Sequence, residues 1–217
     1  LLATALAERG YIIISSGALA DSSDIEANGN TLSVMRERVS QVNGGQHVQG
    51  GYENVDFNHW AIAGHGTGGA AAYLLQPFLT VWDHPPRGVV GLGTDFQDLD
   101  DDWDWSDGPT TPRFFTPKAG LFLTGTVDEV APAEESLDRI KELDGIGWHW
   151  MHVLGADHHQ FEDTRSIFEN EDDAALTQEE QIAFAADRIV PYLDTVLRGD
   201  HGQFRDCLLY TSPSPRD

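Results

Sequence analysis

The sequence is poor in cysteine and in lysine. Cys207 is its one cysteine, and Lys118 and Lys141 are its two lysines. A single thiol excludes an intramolecular disulfide and a cysteine-based zinc site. The 36 acidic residues outnumber the 13 basic ones and give a formal net charge of −23. Because this surplus repels polyanions, nucleic acid is not an expected partner. The acidity fits adaptation to salt and an ordinary acidic protein equally well, and it concerns solubility rather than fold.

Long apolar runs are also missing. A membrane-spanning helix needs a stretch of about 18 apolar residues or more, and no stretch of this length occurs. The first ten residues, LLATALAERG, have neither the basic region nor the small-residue cleavage site of a signal peptide. We therefore expect no membrane span and interpret the opening residues as part of a helix.

The chain does contain enough apolar residues for one folded domain. It has 217 residues, of which 40% are hydrophobic and 10% aromatic, which is sufficient for a substantial core. We predict a single domain over residues 1–206. Residues 207–217, CLLYTSPSPRD, are rich in Ser and Pro without apolar periodicity. They resemble a translated sequencing adapter, so we predict a disordered tail that is not native.

Short apolar runs alternate with segments of helical periodicity along the chain. The predicted strands are 11–15, 59–63, 89–93, 119–124 and 148–154. The predicted helices are 1–9, 31–42, 133–143 and 179–197, with one more between Gly69 and Pro77. This alternation predicts an α/β fold with a mostly parallel sheet and helices on both faces. In such folds, functional residues lie in the loops at the carboxyl ends of the strands.

Three predicted strand ends carry residues of the types that take part in catalysis. The first is the glycine-rich turn GHGTGG at 64–69, the second is Asp128 in GTVDEVAP, and the third is His158 in GADHHQF. A turn, an acid and a histidine in this order are typical of a nucleophile elbow followed by its two partners. A serine attacks an ester only when a neutral imidazole accepts its proton, and a carboxylate orients that imidazole.

These motifs resemble those of the α/β-hydrolase family. The stretch AIAGHGTGGAAAYLL is similar to the family's G-H-S-x-G-G elbow, LFLTGTVDEVAP to its acid strand, and GADHHQF to its histidine loop. The nearest members are dienelactone hydrolases and polyesterases or acetylhydrolases, and the resemblance covers residues 1–198. It implies hydrolysis of a small-molecule or polymer carboxylic ester without a cofactor or metal. It also implies catalytic roles for Asp128 and His158, and a backbone N–H of Thr67 in the oxyanion hole.

Two departures limit this resemblance. Gly66 occupies the position of the nucleophilic serine and has no side chain, while Thr67 is a poor substitute because its side chain is expected to point elsewhere. The family's earlier strands, with the His-Gly loop that supplies the other oxyanion N–H, would precede Leu1. We therefore expect an N-terminally truncated α/β-hydrolase fold that is weakly active or inactive as an esterase.

Two rival functions stay open at this stage. Gly64, Gly66 and Gly69 also form a literal G-x-G-x-x-G, the turn of dinucleotide-binding folds, with Asp83 about 20 residues further on as the ribose ligand. This hypothesis leaves the motifs around Asp128 and His158 unexplained. The second rival is a hydrolase fold that has lost catalysis and serves as a binding module.

Several neighbouring residues offer local alternatives. Glu129 is the substitute for Asp128, which could also be only a cap for the helix after Pro132, and His159 is the substitute for His158. His149 and His152 lie three apart on a predicted strand, so their side chains should point to opposite faces and not share a metal. The acidic loop 95–108 lacks the glycine and terminal glutamate of a calcium loop and is interpreted as solvated.

Overall fold

A computed structural model describes residues 1–15, 35, 55–56, 58–74, 86–96, 119–142, 147–162, 174–202 and 204. Several predictions fall outside the described residues. They are the helix 31–42 apart from Met35, the ribose-binding role of Asp83, the acidic loop after residue 96, and the tail 207–217.

Four parallel strands form the sheet. They are β1 (Ala61–His65), β2 (Gly88–Leu92), β3 (Ala119–Gly125) and β4 (Gly147–Val153). Each strand pairs in parallel with the next along the chain, so the order is β1-β2-β3-β4. The predicted strands 59–63, 89–93, 119–124 and 148–154 are confirmed, with bounds shifted by up to two residues.

The helices lie between and around these strands. They are α1 (Leu2–Glu8), α2 (Thr67–Leu74), α3 (Ala133–Glu142) and α4 (Gln178–Leu193), and a π-helical turn (Asp194–Arg198) extends α4. A reciprocal capping box starts α4, because Thr177 accepts from the Glu180 N–H and Glu180 accepts from the Thr177 N–H. No described helix is long and apolar enough to cross a membrane.

The core has two parts, one on each face of the sheet. Leu121 and Leu123 of β3 are buried in the same cluster as residues of α1 and α4. Phe122, between them, is buried in the second cluster together with residues of α2 and α3. This follows from the period of two in a strand, which sends neighbouring side chains to opposite faces. The α/β fold with helices on both faces is thereby confirmed.

The predicted buried strand at residues 11–15 is wrong. This segment has no strand assignment, and its three isoleucines are exposed by 56%, 39% and 38%. Gly10, with φ of +87°, turns the chain away from α1. Tyr11 then donates a hydrogen bond to Asp194 Oδ1 at 2.6 Å, and the Arg198 guanidinium covers its ring. A strand needs the backbone of a neighbouring strand, and β1 to β4 pair only with one another within the described residues.

Candidate active site

Gly66 forms the turn between β1 and α2. Its backbone has a φ of +54°, in the left-handed region that favours glycine. Its N–H donates to the Leu92 carbonyl at 3.0 Å, and its carbonyl accepts from the Asp95 N–H at 3.0 Å. The carboxyl end of β2 therefore holds the turn in place through backbone contacts that do not depend on the side chain at position 66.

The glycines around the turn differ in what they require. A Cβ on Gly64 would lie 2.1 Å from the Gly68 carbonyl oxygen, and one on Gly69 would lie 2.7 Å from Thr94 Oγ1. Both positions therefore require glycine, Gly64 because the backbone of α2 lies close to it and Gly69 because the loop after β2 lies close to it. A Cβ on Gly68 would meet no described atom within 4 Å. Gly68 is therefore not required sterically, although it is one of the glycines of the elbow motif.

Asp128 lies in the turn that follows β3, and it is 6% exposed. Its Oδ1 accepts from the backbone N–H groups of Val130 at 3.1 Å and Ala131 at 2.7 Å. These bonds are those of a turn-capping carboxylate, so the structural role considered for this residue is present. They also hold the carboxylate in one orientation.

His158 lies in the loop after β4 and points its ring at both other positions. Its Nδ1 is 3.0 Å from Asp128 Oδ2 and 3.1 Å from Oδ1, and both side chains are buried. Its Nε2 would be 3.3 Å from a Cβ on Gly66. The fold therefore brings together Gly66, Asp128 and His158. The substitutes lie elsewhere, because Glu129 is exposed and His159 faces Glu162.

This arrangement determines which ring nitrogen of His158 can act as a base. A carboxylate only accepts hydrogen bonds, so the nitrogen facing Asp128 must carry the ring proton. The other nitrogen, Nε2, then presents its lone pair toward residue 66. The site therefore pairs a buried histidine with a buried carboxylate and directs the second ring nitrogen of that histidine at a residue without a side chain. Thr67, the expected oxyanion donor, is the first residue of α2 and immediately follows this point.

Gly93 is a site residue that the sequence analysis missed. It follows β2 with a φ of +44°, and a Cβ there would lie 2.9 Å from Asp128 Oδ2 and 3.0 Å from His158 Nδ1. Only a hydrogen fits between the end of β2 and the acid-histidine pair. A glycine directly after a buried strand was the available signal, but many such glycines only form turns.

We expect Gly93→Ala to destabilise the fold by about 1–3 kcal/mol, because it combines left-handed strain with a steric clash. Gly68→Ala is the matched control. It places the same methyl in the first turn of α2, where the Cβ meets no described atom, and should be neutral or stabilising by up to about 1 kcal/mol. Urea unfolding of both variants measures the difference. Equal stabilities would contradict the proposed close packing around Gly93.

Gln181 is a second residue that the sequence analysis missed. It is fully buried, and its Oε1 accepts from the Asp157 N–H at 2.9 Å while its Nε2 donates to the Asp157 carbonyl at 2.7 Å. α4 therefore holds the backbone next to His158. Gln181 lies on the helical stripe of Ala185 and Ile189, and a polar residue on an apolar stripe was the signal that could have identified it.

His65 links the elbow to the histidine loop. Its Nε2 is 3.0 Å from the His158 carbonyl oxygen, which can only accept, so Nε2 carries the proton. The two rings are 4.3 Å apart between centroids. Burial, and then electrostatic repulsion between the His65 and His158 rings when both are protonated, lower the pKa of His65 from 6.5 to about 3. The ring is therefore neutral near pH 7, and its 3.4 Å approach to Glu162 is not a charged pair there.

This lowered pKa predicts a pH dependence of stability. Between pH 6.5 and about 3 the unfolded chain binds a proton at His65 that the folded chain does not. The free energy of unfolding should therefore decrease as the pH is lowered from 6.5 to about 3, by at most about 1.4 kcal/mol per pH unit from this group. His65→Gln cannot titrate, and its amide can still donate to the His158 carbonyl. The stability of the unmutated protein relative to His65→Gln should decrease as pH falls, and a constant difference would contradict the assignment.

The histidines of β4, which were considered as metal ligands, do not come together in the described part of the chain. On β4, the His149 ring contacts Phe204 while the His152 ring lies against Trp150, so the two histidines occupy opposite faces as predicted. Among the described residues, no group of three or more His, Cys, Asp or Glu side chains has a spacing suited to a metal ion.

The strand order counts against the dinucleotide-binding alternative. In that fold, the strand before the glycine turn has a neighbour on each side, because the fourth strand pairs with it on the side opposite the second strand. Here β4 pairs with β3, and the chain proceeds in one direction from β1. The ends of β3 and β4 also carry Asp128 and His158, which contact each other, and this alternative uses neither of them.

Comparison with known proteins supports the fold. No protein-family model matches the chain, and no curated protein matches it. Among solved structures, it is similar to a protein of unknown function from Agrobacterium tumefaciens that is provisionally classed as an alpha/beta hydrolase. The two chains share 19% identity with a TM-score of 0.51, and the alignment covers 92% of this chain and 76% of the other. This similarity bears on architecture alone.

Proposed function

We propose that this α/β chain is a domain of the ester-hydrolase type in which Gly66 occupies the position of the catalytic serine. The observation that carries the proposal is the 3.3 Å distance between His158 Nε2 and a Cβ placed on Gly66, with His158 Nδ1 facing Asp128 at 3.0 Å. A serine oxygen at position 66 would extend from that Cβ into hydrogen-bonding range of Nε2. With glycine at position 66, the chain has no serine there that could be acylated.

Each residue has a defined role in this proposal. His158 is the general base, Asp128 orients it and stabilises the imidazolium, and the backbone N–H of Thr67 donates to the oxyanion. The substrate class is a small-molecule or polymer carboxylic ester, and no cofactor takes part. The resemblance of the three motifs to the α/β hydrolases supports this class, as does the sequential parallel sheet that brings their strand ends together.

A catalytically silent binding module is the second candidate, and one observation favours it. The side chain of the nucleophile is missing while the backbone contacts of the elbow and the Asp128–His158 pair are intact. The test is whether Gly66→Ser gains hydrolysis of p-nitrophenyl acetate and reaction with an organophosphonate. A folded Gly66→Ser protein that does neither would support the binding module and contradict the hydrolase proposal.

A further inference from the structure

The position of His158 suggests that the glycine form has its own chemistry. In the described part of the chain, the two atoms within 4 Å of a Cβ on Gly66 are Nε2 and Cε1 of His158, at 3.3 and 3.6 Å. The volume of the serine side chain is therefore bordered by the base itself. A small hydroxyl compound located there would donate its hydrogen bond to Nε2.

We propose that the unmutated protein uses an exogenous hydroxyl nucleophile, located between Gly66 and His158, to cleave an ester in a single displacement. Water is the physiological nucleophile, and methanol is a probe of the same site. This inference rests on the proposed ester-hydrolase function and concerns the form of the protein that carries glycine.

The reaction balances without any further reactant. The oxygen of the nucleophile forms a bond to the carbonyl carbon while its proton moves to His158 Nε2, and Asp128 stabilises the imidazolium. The tetrahedral intermediate then breaks its bond to the leaving oxygen, which takes the proton from Nε2. Water gives a carboxylic acid and an alcohol, whereas methanol gives a methyl ester and an alcohol. No covalent enzyme intermediate forms at any step.

The geometry favours His158 as a general base for an exogenous hydroxyl group over a histidine that takes no part in the reaction. The Asp128 carboxylate is held by the Val130 and Ala131 N–H groups and keeps the proton of His158 on Nδ1. Hydrogen bonds from His65 to the His158 carbonyl and from Gln181 to Asp157 hold the histidine loop. The base is therefore fixed before any nucleophile arrives. General-base catalysis by a positioned group contributes about 10²–10⁴-fold.

The test uses the full chain, p-nitrophenyl acetate and increasing concentrations of methanol. Nitrophenolate release should increase with methanol and saturate, with methyl acetate as a product, no pre-steady-state burst, and no loss of activity after organophosphonate treatment. A contaminating serine esterase would lose its activity under that treatment. Isopropanol, which is bulkier, should have little effect.

Two variants decide the outcome. His158→Gln should lower the methanol-dependent rate by about 10²-fold or more. Asp128→Asn should also lower this rate. If the unmutated protein and both variants show the same linear dependence on methanol, the inference is wrong. Gly66→Ser serves as the separate check. If it gains burst kinetics and phosphonate labelling while the glycine form shows no His158-dependent reaction, the proposed function stands and this inference alone fails.

Discussion

Gly66→Ser is expected to increase the rate of p-nitrophenyl acetate hydrolysis by about 10⁴-fold or more over the unmutated chain. Loss of one member of a serine triad costs about 10⁴–10⁶-fold in rate, and restoring it should recover much of this factor. The backbone around position 66 is held by Leu92 and Asp95 independently of its side chain. The new hydroxyl should therefore lie close to His158 Nε2.

Gly66→Ala is the matched control for this experiment. Alanine and serine both place a Cβ at a φ of +54°, so both carry the same left-handed strain of about 1 kcal/mol or more. They differ only in the hydroxyl group. Serine should confer activity and labelling by an organophosphonate, and alanine neither. Equal rates in two folded variants would contradict the assignment of residue 66 as the nucleophile position.

Asp128→Asn, introduced into the Gly66→Ser protein, should reduce its activity by about 10⁴-fold. Asparagine keeps the Oδ1 acceptor that receives the Val130 and Ala131 N–H groups, so the turn before α3 should survive. Its amide would donate to His158 Nδ1 and move the ring proton to Nε2, where the base is needed. The measurement is kcat/KM together with a melting temperature.

Glu129→Gln is the control for this second prediction. It removes the adjacent carboxylate, which is exposed and was the alternative acid, and activity should stay within about two-fold because exposed single-charge changes have small effects. A large loss in Glu129→Gln with little loss in Asp128→Asn would reverse the assignment of the acid.

Local patterns were most informative where a segment is buried on both sides. The runs that became β2 and β3 are short and apolar because helices cover both faces of the sheet, so strand positions followed from composition. The same reasoning failed at residues 11–15, where an equally apolar run lies exposed without strand pairing. Apolar composition predicts burial only when the rest of the fold provides a neighbouring strand.

The sequence by itself determined the α/β class and singled out Gly66, Asp128 and His158 as the candidate site, because a turn, an acid and a histidine that follow three of the strands in this order form a pattern that can be recognised along the chain. Only the tertiary structure decided which residues surround them. Gly93 and Gln181 lie far from His158 in sequence, yet one leaves space for the acid-histidine pair and the other holds its loop. Such contacts depend on the packing of β2 and α4 against the histidine loop. That packing is set by the whole core, so the local signals at these two residues do not indicate which groups they contact.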